Sequence, residues 1–138
     1  MARPVLLDTC AAIWLMNGDP VSPDSLVAVA GATAENQGVY VSPISAWEIA
    51  TLVAKNRMQL TLSPEAWFDA LLALPGVRLA GMPPKVLIAS AFLPGTPPKD
   101  PADRIVAATG RTYGYVILTR DGELIPYGQA GHIDVVAC

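Results

Sequence analysis

Four acids pose the chemical question in this 138-residue chain: Asp8, Glu48, Asp103 and Asp121. Each follows a short apolar segment or opens a helix-like one, so a parallel sheet would carry all four to a single edge. Carboxylates gathered in one place repel one another, and such a cluster holds together only if some are protonated or a cation lies between them. Oxygen donors alone suit Mg²⁺ or Mn²⁺ rather than zinc. The single histidine, His132, and two distant cysteines, Cys10 and Cys138, form no competing nitrogen or sulfur set. A divalent ion activates water and neutralises charge on a phosphoryl group, which makes phosphodiester hydrolysis the leading reaction class. Taken singly, the acids also have structural explanations. Asp8 could cap the following helix, Ser45 and Glu48 have the spacing of a capping box, Asp100 could cap a helix whose first residue is Pro101, and Asp121-Gly122 reads as a turn. Caps, however, scatter to whichever end needs them, and do not explain four acids on one edge.

Other chemistries lose support. The sequence has no Gly-x-Ser-x-Gly, no Gly-Lys-Ser/Thr phosphate loop, no Gly-x-Gly-x-x-Gly and no Cys-x-x-Cys. His132 alone cannot supply the paired acid and base of a metal-free ribonuclease. A haloacid-dehalogenase-like phosphatase needs a second Asp two residues after the first, where Cys10 stands. A receiver domain needs adjacent acids early and a lysine late, and neither is in place. Trp14, Trp47 and Trp67 fall in helix-like segments beside other apolar residues, which points to core or dimer packing rather than base stacking.

The elements that must position these acids alternate. Pro4 to Leu7 has the length of a buried strand and leads through Asp8-Thr9 into a helix over Ala11 to Met16. Val39 to Val41 is a second strand, followed by Ser42-Pro43 and a helix from about Ser45 through Lys55. Ser63-Pro64-Glu65 starts a helix over Ala66 to Leu74, Val77 to Ala80 is a further strand, and Lys85 to Phe92 a further helix. After the Pro94–Pro98 loop, Asp100-Pro101-Ala102-Asp103 opens a helix to about Arg111. Tyr115 to Leu118 and Ile133 to Ala137 are the last strands. Short, wholly apolar strands alternating with helices predict an α/β domain with a mostly parallel sheet between helical layers.

At 52% apolar and 15% charged residues the chain is expected to form one domain over 1–138. No apolar run approaches the roughly 18–20 residues of a membrane helix, and no secretory signal is visible, so a cytoplasmic location is expected. The excess apolarity favours a homodimer or a permanent protein partner. Both cysteines read as buried or idle thiols. A net charge of −3 gives no global attraction to nucleic acid, so RNA binding must come from local bases or metal ions.

Four blocks carry a family resemblance: Leu6-Leu7-Asp8-Thr9, Val41-Ser42-Pro43-Ile44-Ser45-Ala46-Trp47-Glu48-Ile49-Ala50, Asp100-Pro101-Ala102-Asp103-Arg104-Ile105-Val106, and Leu118-Thr119-Arg120-Asp121. In this order the chain resembles a PIN-domain nuclease, most specifically a VapC-type toxin of a bacterial toxin–antitoxin pair. The resemblance implies a Mg²⁺- or Mn²⁺-dependent endoribonuclease. Asp8, Asp103 and Asp121 would hold the metal, the last directly or through water, and Glu48 would hold or deprotonate a metal-bound water. Asp100 is an auxiliary acid or a cap, and Thr9 and Thr119 would orient carboxylates or satisfy local backbone groups. Arg104 and Arg120 would bind phosphate or pair with the acids, with Lys55 and Arg57 as weaker candidates. Leu52 stands one turn after Glu48, where relatives often carry a lysine. The resemblance also implies a small cognate antitoxin. The competing reading is a PIN-like fold that only binds or assembles.

Overall fold

The computed structural model describes residues 1–138. Its elements are β1 (Val5–Leu7), α1 (Thr9–Asn17), α2 (Pro23–Ala34), β2 (Val39–Val41), α3 (Pro43–Ala54), α4 (Pro64–Leu72), β3 (Val77–Leu79), α5 (Pro84–Ala91), α6 (Pro101–Tyr113), β4 (Val116–Thr119), α7 (Leu124–Gln129) and β5 (Asp134–Ala137). Every strand pairing is parallel, in the order β3-β2-β1-β4-β5. All three residues of β1 are buried, which is why this strand is apolar on both faces. Val5 and Leu7 point to one core with Val39, Val41, Leu118, Ile49 and Leu71, whereas Leu6 points to the other with Ile117, Val106, Leu124 and Tyr127. Burying each such side chain stabilises the fold by roughly 1.5–3 kcal/mol relative to exposure. No helix is long and apolar enough to cross a membrane.

Two helices are absent from the expectation. In α2 only Ser25 and Ala32 are buried and the apolar residues run nearly unbroken, so the sequence shows no clear helical period. In α7 the six residues include Pro126 and Gly128, which read as loop, yet the proline falls in the first turn, where its missing N–H costs nothing. Helix α3 starts two residues before the expected Ser45, because Ser42 is the cap and its hydroxyl accepts from Ile44 N at 3.2 Å.

The strand order fixes where a ligand crevice lies. From β1 the chain steps outward through β2 to β3, then crosses back to β4 and out to β5. The order reverses between β1 and β4, and at the carboxyl ends of two such strands the flanking loops diverge and leave a crevice. Helix α6 lies tight against β4: a Cβ on Gly110 would come within 2.7 Å of Ile117 Cδ1. Gly114, at φ 71°, ends α6 in the left-handed conformation that a side chain would strain.

Candidate active site

Asp8 follows β1 directly and sits one step beyond the Leu7–Leu118 strand pair, opposite Thr119. It is 4% exposed and has both oxygens engaged. Oδ1 accepts from Ala11 N at 2.8 Å, the cap of α1, and Oδ2 accepts a close hydrogen bond from the Thr119 hydroxyl. The structural and the chemical readings of this acid are thus compatible, because each uses a different oxygen. Thr119 Oγ1 also accepts from Asp121 N at 2.9 Å, so one buried hydroxyl links two acids. Asp121 Oδ2 accepts from Glu123 N at 2.8 Å and Leu124 N at 2.9 Å, shaping the turn into α7. Asp100 caps α6, its Oδ1 accepting from Asp103 N at 3.1 Å, and Asp103 stands in the first turn of that helix. The Glu123 carboxylate accepts from Lys99 N at 2.9 Å and ties this loop to the Asp121 turn.

Glu48 reaches the site from α3 and accepts a close hydrogen bond from the Thr9 hydroxyl. It is not part of a capping box. Ser45 turns its hydroxyl to Thr9 Oγ1, 2.9 Å away, and is fully buried. Ser45 is the site residue that the sequence reading missed. The Ser42-Pro43 pair, a cap followed by a first-turn proline, is the signal that frees Ser45 for another role.

The acids feel one another. Burial pushes the Asp103 carboxyl up to about 8, followed by Asp121, Asp100, Glu48 and Asp8, with no hydrogen bond to lower it. Burial also raises Glu48, with Asp100, Asp8 and Asp121 adding to the shift and Thr9 opposing it. Asp8 is raised by burial first, against the opposing bonds from Thr119 and Ala11, with a smaller push from Asp121. Cys10 is exposed rather than buried, and its half-enclosed thiol borders the same acids. Burial and then Asp8, Glu48, Asp103 and Asp121 push it up to about 11, so it stays protonated at neutral pH.

As placed, no group of three or more of these side chains is close enough to hold a metal ion. The donor set nevertheless fits a hard divalent cation in kind. It consists of carboxylates whose mutual repulsion a cation would relieve, with the thiol held protonated and no imidazole among them.

The expected bases lie elsewhere. Arg104 donates to the carbonyls of Ser90 at 2.9 Å, Pro98 at 3.2 Å and Ala91 at 3.3 Å, closing the end of α5. Arg120 donates to Cys138 O at 2.9 Å and Pro20 O at 2.8 Å, with its guanidinium 3.9 Å from the Trp14 ring centre. Neither pairs with a site carboxylate. The one salt bridge, Arg3–Asp134 at 2.9 Å, lies at the opposite end of β5. Core packing holds for Trp67, 5% exposed, but not for Trp47, which is 62% exposed on α3.

The chain matches the PIN-domain family over residues 5–128. It is 33% identical over 121 residues to Ribonuclease VapC22 of Mycobacterium tuberculosis, covering 87% of this chain and 88% of that protein. Its fold is that of a chain in the DNA-bound VapBC2 complex of Rickettsia felis, with TM-score 0.66, 15% identity and 97% and 98% of the two chains covered. It is also similar to a chain of FitAcB from Neisseria gonorrhoeae, with TM-score 0.54, 20% identity and 95% of each chain covered. Parallel sheet, acidic crevice and sequence kinship agree: the chain belongs to the PIN-domain family and is related to the VapC-type toxins of bacterial toxin–antitoxin systems.

Proposed function

We propose that the chain is a metal-dependent endoribonuclease, the toxin of a toxin–antitoxin pair. The observation that carries this reading is the electrostatic coupling of Asp8, Glu48, Asp103 and Asp121 at the point where the strand order reverses. Asp8, Asp103 and Asp121 would hold Mg²⁺ or Mn²⁺, with Asp100 close by. The ion would supply charge neutralisation at the scissile phosphate and a more acidic bound water. Asp8 and Asp121 present oxygens whose directions are fixed by Thr119 and by backbone N–H groups. Glu48, held by Thr9, would hold the attacking water or take its proton. With Arg104 and Arg120 engaged by carbonyls, phosphate contacts fall to Lys99, Lys55 and Arg57. None of these makes a side-chain hydrogen bond, and each is exposed.

A small antitoxin and a second copy of the chain are the partners of this reading, in the cytoplasm. Solved relatives named VapBC and FitAB are complexes, and this chain exposes Trp47, Ile88 and Phe92 at 62%, 62% and 81%. The absence of a ready three-carboxylate cage favours one alternative, a binding module without catalysis. Cleavage of a mixed RNA panel by the purified protein with Mn²⁺, with EDTA and after Asp8→Asn decides between them. Metal-dependent cleavage lost in the variant is expected. Intact RNA under every condition, with the protein folded, would establish the binding module.

A further inference from the structure

We infer that Ser45 is a positioning residue: through the Thr9 hydroxyl, it fixes the direction in which Glu48 presents its carboxylate to the crevice. The inference rests on the reading of Glu48 as part of the metal site.

The argument begins with protons. Thr9 Oγ1 touches both Glu48 Oε1 and Ser45 Oγ, the latter at 2.9 Å, and a hydroxyl has one proton to give. The Thr9 hydroxyl is directed at both oxygens, so its one proton is divided between the Glu48 carboxylate and Ser45 Oγ. Ser45 has no other side-chain partner, because Ser42 caps α3. Three residues apart on α3, Ser45 and Glu48 share one face, and Thr9 from α1 sits against both. Ser45 and Thr9 are 0% and 7% exposed, so water has little access to replace a missing partner.

The consequence concerns rotamers. Thr9 opens α1, with no preceding helical turn whose carbonyls could hold its hydroxyl, so the side chains it meets select its χ1 rotamer. The buried Ser45 Oγ, accepting from Thr9 Oγ1, holds it in the rotamer that also reaches Glu48. Removing it takes away one of the two contacts that fix the Thr9 hydroxyl, and Glu48 loses its fixed direction. A serine that merely filled space would show no such dependence on Thr9.

Coupling between the two hydroxyls tests this. Mn²⁺ affinity is measured by calorimetry on the full chain for wild type, Ser45→Ala, Thr9→Val and the double variant, with RNA cleavage and melting temperature read in parallel. Ser45→Ala is expected to weaken Mn²⁺ binding roughly threefold to tenfold, below the loss usual for a group that contacts a ligand directly. In the Thr9→Val background the same change has no further effect. Ser45→Thr, which keeps the hydroxyl, restores the wild-type affinity. An equal loss in both backgrounds, or a Ser45→Thr variant as weak as Ser45→Ala, overturns the inference. The Ala-against-Thr comparison stands by itself if Thr9→Val fails to fold. Absence of Mn²⁺ binding by wild type would overturn the metal-site reading and this inference with it. The coupling without RNA cleavage would overturn only the ribonuclease reading.

Discussion

On the strand wall of the acidic crevice Asp8 and Asp121, with Glu48 facing them from α3, each accept hydrogen bonds, from Thr119 and Ala11, from Glu123 and Leu124, and from Thr9. On the helix wall Asp103 has none, and burial followed by its neighbours pushes its carboxyl up to about 8. One wall is preformed, and the other is a carboxyl that, on the proposed reading, would exchange its proton for a cation. Protein donors and a metal compete for the same lone pairs. A site that fixed every oxygen with its own N–H groups would leave an ion little to gain, whereas one that fixed none would bind slowly and loosely.

The largest effect should come from Asp8→Asn, which keeps an acceptor for the α1 cap and removes the charge. Mn²⁺-dependent RNA cleavage is expected to fall more than about a hundredfold, beyond the loss of a supporting partner, with the fold retained by circular dichroism. Cleavage within tenfold of wild type would end the claim that the strand wall is the preformed half. Next, Thr119→Val removes the hydroxyl shared by Asp8 and Asp121, and a loss of about 10- to 100-fold in metal affinity or rate is expected. A Thr119→Ser variant close to wild type would assign that loss to the hydroxyl rather than to packing.

The helix wall predicts a smaller, oppositely signed effect, on stability without metal. An unfolded Asp103 would lose its proton near the ordinary 3.8, whereas the folded one keeps it to about 8. Folding therefore takes up a proton between those values, so stability falls as pH rises from about 4 toward 8 and then levels off. Asp8 and Glu48 shift in the same direction. Melting curves of metal-free protein from pH 5 to 9 should show this slope. Asp103→Asn should flatten it and raise the melting temperature at pH 8 by a few degrees, on the order of 1 kcal/mol. Parallel curves for wild type and variant would remove the contrast between the walls.

Asp8 and Asp121 were legible because strand ends are legible: Leu6-Leu7 before Asp8 and Ile117-Leu118 before Thr119 mark where parallel strands deliver their next residues. Their convergence follows from topology, which alternation alone foretells. Helix α2 was not legible, since its period is blurred by small apolar residues, nor was α7, since proline and glycine mask a single buried turn. Ser45 was misread because Ser-x-x-Glu is also a capping pattern, and only the position of Ser42 decides which serine does the capping. For the arginines sequence adjacency to acids was misleading. A long side chain reaches whatever carbonyls the tertiary fold sets near it, and neither Arg104 nor Arg120 is turned to a carboxylate.

That last point yields the smallest effect, and it tests whether the strand wall also binds substrate. Arg120 adjoins Asp121 in sequence, yet its guanidinium holds the carbonyls of Pro20 and Cys138 while lying on Trp14. Arg120→Ala should therefore cost about 1 kcal/mol of stability, or roughly 3 to 5 °C for a chain of this size. The RNA concentration giving half-maximal rate should change less than about twofold. The stability loss should also persist at high salt, because the acceptors are neutral carbonyls rather than charges that ions screen. A guanidinium that bound phosphate would behave in the opposite way: a rise in half-saturating RNA at low salt that vanishes as salt is added, with little change in melting temperature. The first pattern confines the strand wall to metal and water. The second would make it a substrate-binding surface as well, and shift the phosphate contacts away from Lys99, Lys55 and Arg57.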